Sequence, residues 1–327
     1  MRRGKPGIRR VFTSLFTGLL SGPVSLLLAG LAPLLFAGCG EPGLDFSEGV
    51  PLAITFDDLP WTGGTDGIGR GAALERTDRL IDQLEARDVP AVGLVTCRNL
   101  LSDGGAIRRW RQAGFELGNH SYNHFDLNRT DPAEWLDDVR KCHDRLHALT
   151  RDSIRWFRYP MLHEGATVEV RDSVARALTG MGYRNAHVTI DNSEWVLARA
   201  YDQAVRGRDS LRAAEVADAY VEHLVEAGRH FRAVARERFG RETGQVLLLH
   251  ANRLAVDHVG TAIDALVADG FVIRSLPEVM TDPVFLEPDG YAGPRGLSWL
   301  YRVEPAIDDD PWDEAAEAAI VERFGGS

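Results

Sequence analysis

Two histidines, His120 and His124, stand four residues apart in the segment GNHSYNH, directly after a short apolar run. At this spacing one helical turn or a tight loop can point both imidazoles at one ion. Such a site needs a third, anionic ligand and an open position for water. A second pair with the same spacing, His143 and His147, lies mid-helix and one position off the apolar stripe, which indicates solvent-facing side chains.

Two adjacent aspartates, Asp57 and Asp58, follow the apolar run PLAITF and can supply the anionic ligand. Adjacent carboxylates repel each other unless a cation or a proton lies between them. Because consecutive side chains of an extended segment point in different directions, one aspartate can bind a metal while its neighbour faces the bound water. The alternative is a solvated turn or helix cap before Pro60.

The elements that would position these residues alternate along the chain from residue 51 onward. Apolar runs predict seven strands, at 51–56, 91–96, 115–118, 154–157, 184–190, 245–249 and 271–275. Helical patterns separate them, near 72–87, 104–113, 132–149, 167–181, 209–239 and 256–269. This alternation predicts an α/β fold with a parallel sheet, and at this length a closed or nearly closed (β/α) barrel is the usual form.

In such a barrel the functional residues lie just beyond the C-terminal ends of the strands. Five predicted strand ends carry groups that can do chemistry. Besides the aspartate and histidine motifs, they carry Arg158 after the fourth strand, Asp191, Glu194 and Trp195 after the fifth, and His250 after the sixth. All of these ends face the same edge of the sheet, so they predict one active site there.

A glycine-rich segment at 63–71 offers an alternative interpretation. Gly67-x-Gly69-x-x-Ala72 resembles a dinucleotide-binding turn, but it begins about ten residues after the strand instead of directly after it. We interpret the segment as a flexible loop at the rim of the site, and we expect no nicotinamide dinucleotide to bind.

Charge is distributed unevenly over the 327 residues. The formal net charge is −11, from 37 Lys and Arg against 48 Asp and Glu, so a nucleic-acid partner is not expected. Residues 1–38 contain no acid, and within them a basic segment that ends at Arg10 is followed by a largely apolar run at 11–37, which is the pattern of an export signal. A retained membrane anchor is the alternative.

The signal ends at the segment FAGC, which resembles a bacterial lipobox although Phe36 stands where that motif prefers leucine. We therefore expect an exported protein of the cell envelope, periplasmic or anchored to the membrane through a lipid on Cys39. Export would permit a disulfide between Cys97 and Cys142, but their predicted positions fit two buried thiols equally well.

The expected organisation is a signal at 1–38, a linker at 39–50 and one catalytic domain at 51–282. The catalytic domain contains a mostly helical insertion at 197–243. Residues 283–327 form a C-terminal extension of coil with an acidic tail, for which a solvated conformation is the default.

The motifs, in this order, resemble those of the polysaccharide deacetylases with a NodB-homology domain, carbohydrate esterase family 4. The resemblance covers roughly residues 50–280 and rests on the segments TFDD, HSYNH, RYP, EW and LLLH. It implies a distorted (β/α) barrel of about seven strands. It also implies metal-dependent removal of acetyl groups, usually from N-acetylglucosamine units of chitin or peptidoglycan and sometimes from O-acetylated xylan.

The resemblance gives the first motifs their roles. It implies that Asp57 is the general base and that Asp58, His120 and His124 hold a divalent cation. Zn²⁺ is the expected cation, with Co²⁺, Ni²⁺ or Mn²⁺ as alternatives. Arg158 would orient the base and keep it ionised.

The later motifs depart from the family in two places. The resemblance implies that His250 is the general acid, supported by a carboxylate that is usually an aspartate and is Glu194 here, with Asp191 as a substitute. After Pro160 the family has an aromatic residue where this chain has Met161. The N–H of Met161 is still expected to point at the oxyanion.

Two tryptophans, Trp61 and Trp195, are candidates for stacking on a sugar ring, although either could equally be a core aromatic. The most favoured function is deacetylation of a polysaccharide rich in N-acetylglucosamine. The alternatives are an O-acetyl xylan esterase, a metal-dependent amidase for a small molecule, and a carbohydrate-binding cell-envelope protein without activity.

Overall fold

The computed structural model describes residues 44–62, 69–102, 104–151, 153–308 and 311–325. Its strands are β1 (Val50–Leu59), β2 (Ala91–Val95), β3 (Glu116–Asn119), β4 (Trp156–Phe157), β5 (Arg184–Asn185), β6 (Gln245–His250) and β7 (Phe271–Ile273). Its longer helices are α1 (Arg70–Glu85), α2 (Gly105–Gln112), α3 (Pro132–Thr150), α4 (Val168–Gly180), α5 (Glu194–Gly207), α6 (Ser210–Phe239) and α7 (Arg253–Ala268). Three further helices follow, α8 (Leu276–Val279), α9 (Trp299–Arg302) and α10 (Pro311–Phe324).

The seven strands pair in parallel in the order β5-β4-β3-β2-β1-β6, and β7 pairs with the first residues of β1. The predicted strand 184–190 is regular over two residues only, because its start pairs with β4 and its end with β6. At that end the N–H of Ile190 donates to the carbonyl of Val246 at 3.0 Å. The sheet therefore curls back on itself, which confirms the predicted distorted (β/α) barrel.

Burial on both faces of the sheet explains why the strands are apolar runs. Every residue of β1 except Asp58 is buried. The helices pack outside, and α3 shows how the sequence begins one of them. The side chain of Asp131 accepts hydrogen bonds from the backbone N–H groups of Ala133 and Glu134, and Pro132 occupies the first turn.

The segment 197–243 consists of most of α5, all of α6 and the turns that follow each of them. The 30-residue helix α6 buries one face, with Tyr220, Leu224 and Phe231 inside the main hydrophobic core. These two helices pack on each other and on α7 as part of the helical layer outside the sheet.

The C-terminal extension differs from the solvated coil expected of it. Trp299, Leu300 and Tyr301 of α9 are buried in the main core, and Ile320 and Phe324 of α10 join them. Trp312, Ala316, Ile320 and Phe324 recur every four residues along α10, and this narrow stripe is buried or half-buried although the helix as a whole is rich in acids. The prediction of a solvated tail was therefore wrong for residues 311–325.

The predicted export signal at 1–38, Cys39 and most of the glycine-rich segment lie outside the described residues. Within the described ranges, none of the helices combines the length and the apolar character needed to cross a membrane.

Candidate active site

The end of β1 separates its two aspartates. The pairing of β1 with β2 shifts register between Phe56 and Leu59, and Asp58 takes a left-handed conformation with φ of 61°. This conformation is uncommon outside glycine, and aspartate tolerates it better than most residues. As a result Asp57 pairs with Arg158, whereas Asp58 turns toward the two histidines. Asp58 thus joins the two histidines in one cluster, while Asp57 has Arg158 as its hydrogen-bond partner.

Asp58, His120 and His124 form the candidate metal site. One ligand atom from each lies within 4.8 Å of the others, and Nε2 of His124 is 3.9 Å from Oδ1 of Asp58. Nδ1 of His120 is 2.9 Å from the carbonyl oxygen of Arg158, so it donates there and leaves Nε2 for a metal. Two imidazoles and a carboxylate are a donor set that suits Zn²⁺ and similar divalent cations. The residues therefore fit the cation that the sequence predicted.

The protonation states of these side chains also suit a cation. Burial, together with the charge of His120, lowers the pKa of His124 to about 4, so its imidazole is neutral at pH 7. Burial alone would raise the pKa of Asp58, but His124, His120 and His250 outweigh it and lower that pKa. The site thus offers a neutral imidazole and an ionised carboxylate, the forms that bind metal.

The histidine loop at 120–124 is held from α3 by Asp138. Oδ2 of Asp138 accepts the N–H groups of Tyr122 and Asn123 at 2.9 and 2.8 Å. Inside the loop, Oγ of Ser121 accepts the N–H of His124 at 2.9 Å. Sequence reasoning missed Asp138, and the signal that could have found it is an acid on the buried face of an otherwise apolar helix stripe.

A disulfide between Cys97 and Cys142 joins the turn after β2 to α3. The sequence left this bond and two buried thiols equally open, and the structure shows the bond. The turn that holds Cys97 also contacts the histidine loop, because the N–H of Cys97 donates to the carbonyl of Ser121 at 3.2 Å. The N–H of Arg98 donates to the carbonyl of Tyr122 at 2.9 Å. The disulfide therefore links two elements that support the metal ligands.

Asp57 and Arg158 form a buried ion pair at the floor of the site. Nη1 of Arg158 donates to Oδ1 of Asp57 at 2.6 Å and to Oγ1 of Thr55 at 2.8 Å, and Nε donates to the carbonyl of Ala186 at 3.0 Å. Oδ2 of Asp57 lies 3.6 Å from Nε2 of His120. One oxygen of Asp57 is thus held by the arginine while the other faces the candidate metal site.

His250 ends β6 directly opposite Asp57, since the two residues are register partners in neighbouring strands. Oε1 of Glu194 accepts both Nδ1 and the backbone N–H of His250, at 2.8 and 3.0 Å, and Oε2 accepts Nδ2 of Asn252 at 3.0 Å. Asp191, the alternative partner, instead accepts the N–H of Asn192 at 2.9 Å. In the structure the carboxylate that contacts His250 is therefore Glu194.

Glu194 also controls the protonation of His250. Burial by itself lowers the pKa of this histidine, but the hydrogen bond and charge of Glu194, with Asp58 and Asp57, raise it to about 9. His250 is therefore an imidazolium at pH 7, with Nδ1 engaged by Glu194 and Nε2 left to face a substrate.

The three remaining predicted residues lie at the rim. Met161 has a left-handed backbone with φ of 55°, and its side chain is exposed. Trp195 is 38% exposed, which leaves part of its ring open to a ligand. Trp61 is half-buried and packs against the edge of the main core, and a stacking role for it stays a prediction.

Two further polar residues in the site were missed, and one histidine was misjudged. Oγ1 of Thr96, just past β2, donates to Oδ1 of Asp58 at 2.7 Å, and the rule of strand ends would have found it. Asn252 lies two residues beyond His250 and caps α7. The prediction that His143 faces solvent was wrong, because it is half-buried with Nδ1 2.8 Å from the hydroxyl of Tyr183.

Comparison with known proteins adds a family and a fold. Residues 47–186 match the model of a family described as polysaccharide deacetylase. A chitin deacetylase of Colletotrichum lindemuthianum is 26% identical over 162 residues, which are 48% of this chain and 55% of that protein. A peptidoglycan-N-acetylglucosamine deacetylase of Bacillus cereus is 22% identical over 144 residues, 44% of this chain and 46% of that protein. This chain thus spans about half the length of the curated relatives it matches.

Solved structures support the fold alone. A pseudoenzyme of the CE4 family from Bacillus anthracis is 18% identical, with a TM-score of 0.50 over 72% of this chain and 66% of that chain. A mutant of that pseudoenzyme with restored enzymatic activity is 19% identical, with a TM-score of 0.50 over 72% of this chain and 68% of that chain.

Proposed function

This chain belongs to the polysaccharide deacetylase family, and we propose that it is a metal-dependent hydrolase of acetylated carbohydrate. The proposed substrate is an N-acetyl group on an N-acetylglucosamine-containing polysaccharide of the chitin or peptidoglycan type. The observation that carries the proposal is the meeting of three groups at one edge of the sheet. They are the Asp58-His120-His124 cluster, the Asp57-Arg158 pair and the Glu194-His250 pair.

Asp58, His120 and His124 would hold the cation, with Zn²⁺ the first choice and Co²⁺, Ni²⁺ or Mn²⁺ as alternatives. When bound, such a cation supplies Lewis-acid activation of water and of the acetyl carbonyl. The hydrogen bond from His120 to the carbonyl of Arg158 fixes the ring that would present its Nε2.

Asp57 acts as the general base. Because Oδ1 is held by Arg158 at 2.6 Å, Oδ2 takes the proton of the attacking water. The N–H of Met161 donates to the oxyanion that forms on the acetyl carbonyl, a contribution of about 3 kcal/mol at typical oxyanion-hole strength.

His250 acts as the general acid. The hydrogen bond from Nδ1 to Glu194 leaves Nε2 to donate its proton to the departing amine nitrogen. The raised pKa of about 9 keeps this proton in place at pH 7 until the carbon–nitrogen bond breaks. Trp195 would stack against the sugar ring that carries the acetyl group.

The test is acetate release from chitin oligomers, peptidoglycan and acetylated xylan, before and after chelation and again after metal is restored. We expect release from an N-acetylated polymer, loss on chelation and recovery with added Zn²⁺. The Asp57→Asn variant is the negative control. Acetate release from xylan alone would favour an O-acetyl esterase. No acetate release from any of the polymers would contradict the proposal.

We also propose export to the cell envelope and lipid attachment at Cys39. The support is the sequence of residues 1–39, in which a basic segment is followed by an apolar run and then by small residues. Mass spectrometry of the membrane fraction is expected to find the mature chain beginning at a lipidated Cys39. An unmodified mature chain in the soluble fraction would contradict lipidation.

A further inference from the structure

A cavity of about 710 Å³ lies beside the proposed active site, between α1, α5 and the start of α7. Both rim tryptophans, Trp61 and Trp195, line it. Asn252 lines it as well and donates to Glu194, which in turn holds His250. The cavity is therefore connected to the general acid through one asparagine and one carboxylate.

The lining of this cavity is strongly cationic. Arg76, Arg199, Arg206 and Arg253 line it, and Asp202 is the one acid among the described lining residues. The two oxygens of Asp202 are already engaged, by Arg206 at 2.6 Å and by Arg253 at 3.2 Å. One carboxylate against four guanidinium groups leaves three positive charges uncompensated in the described lining. The whole chain carries −11, so the sign of this surface is reversed locally.

The other two arginines lie over the tryptophans. Cζ of Arg76 is 4.2 Å from the ring centroid of Trp61, and Cζ of Arg199 is 5.2 Å from that of Trp195. An aromatic ring attracts a cation without neutralising its charge. Burial lowers the pKa of Arg76, and the charges of Arg253 and Arg206 lower it further, against the opposing effect of Asp202 and Asp257.

A neutral donor adds to this lining. The hydroxyl oxygen of Thr62 is buried and has no hydrogen-bond partner among the described residues, although Thr62 itself lines the cavity. A buried hydroxyl without a partner costs free energy unless a ligand or water satisfies it. Guanidinium groups, a hydroxyl and indole faces together suit a sugar that bears an acidic group.

We propose that this cavity binds a carboxylate on a sugar unit that neighbours the unit being deacetylated, an inference that rests on the proposed function. Arginine binds carboxylates through paired, charge-assisted hydrogen bonds, and the flat face of a tryptophan packs against a sugar ring. A neutral chain of N-acetylglucosamine has no group for this charge. The cavity thus selects a polymer in which acidic sugars accompany the acetylated ones.

The test is calorimetric titration of the full chain with N-acetylmuramic acid and with N-acetylglucosamine, which differ by one carboxylate-bearing lactyl group. We expect the acidic sugar to bind at least about tenfold more tightly, as a charge-assisted hydrogen bond implies. Arg199→Gln and Arg76→Gln should each lower the affinity for the acidic sugar by about tenfold and leave the affinity for the neutral sugar unchanged. Arg176→Gln, at an exposed position of α4 outside the cavity, removes the same charge and should change neither affinity.

Equal affinities for the two sugars in the unsubstituted protein would overturn the inference. An equal loss of affinity for both sugars in Arg199→Gln would overturn it as well. Binding requires no turnover, so the experiment separates the two proposals. Selective binding without acetate release from any polymer would refute the hydrolase and keep the carboxylate site. Acetate release together with equal affinities for the two sugars would keep the hydrolase and refute the carboxylate site.

Discussion

The proposed active site has two halves that the chain supports in different ways. The metal and base half, with Asp57, Asp58 and the histidine loop, lies within residues 47–186, where the family model matches. The acid half, with Glu194 and His250, lies beyond that range. Strand ends and α3 hold the first half, whereas the second depends on α5 and on the segments that pack against it.

The acid half makes hydrogen bonds with the C-terminal extension. Oγ of Ser193, the residue before Glu194, donates to Oε2 of Glu317 on α10 at 3.3 Å. The backbone N–H of Trp299 on α9 donates to the carbonyl of Val188. The metal and base half thus lies where the family model matches, and the acid half depends in addition on contacts from the C-terminal extension. The following predictions test this division, beginning with the largest effect.

Substitutions in the metal and base half should separate metal binding from chemistry. His120→Ala removes a ligand, so we expect loss of both bound metal and activity. Asp57→Asn keeps the metal but loses the base, so activity should fall by about 10²–10⁴-fold. Metal analysis of the purified proteins and acetate release measure the two effects. A fully active Asp57→Asn protein would refute the assignment of the base.

Glu194→Gln should affect the acid half alone. Because Glu194 raises the pKa of His250 to about 9, activity should decline as the pH rises through that value in the unsubstituted protein. Without the carboxylate the pKa falls, so the decline should move to lower pH and the rate at pH 7 should drop by up to about a hundredfold. Rate against pH measures the shift, with bound metal as the control. An unchanged alkaline limb would contradict the role of Glu194.

Removing the disulfide should lower both the stability of the protein and the metal affinity of the metal and base half. The double variant Cys97→Ser with Cys142→Ser should lose about 2–4 kcal/mol in free energy of unfolding, measured in denaturant. The affinity for Zn²⁺ should fall as well, because the turn at Cys97 and the helix at Cys142 both contact the histidine loop. Undiminished metal affinity in the destabilised protein would show that the loop is held without the bond.

Glu317→Gln should have the smallest effect. The substitution keeps an acceptor near Ser193 but removes its charge, so the expected loss of stability is about 1 kcal/mol or less. Bound metal should stay unchanged, and thermal unfolding of the two proteins measures the difference. A loss of metal from this variant would break the division between the halves.

Much of the fold could be predicted because strand and helix patterns are local. All seven predicted runs overlap an observed strand, and the rule of strand ends predicted that Asp57, His120, Arg158 and His250 lie together. Asp138 escaped because its partners lie 15 and 16 residues earlier, in a loop whose position depends on the folded barrel.

Other features were hidden by composition. The acids around Ile320 and Phe324 resemble those of a solvated tail, and nothing local indicates that the helix has a core to pack on. The cationic cavity was equally invisible, because Arg76 and Arg253 lie far apart in sequence within an acidic chain. Charge patterns that arise only on folding cannot be found by counting residues along the chain.

The register pairing of Asp57 with His250 has a consequence for motion during turnover. Neighbouring strands are separated by about 4.8 Å, and core strands are among the last elements of a protein to open. The backbone positions of the proposed base and the proposed acid are therefore fixed by the sheet and do not depend on the closing of a loop. If the proposed function holds, thermal motion that loosens the rim would change how a polymer enters, while the spacing between Asp57 and His250 would persist until the barrel itself unfolds.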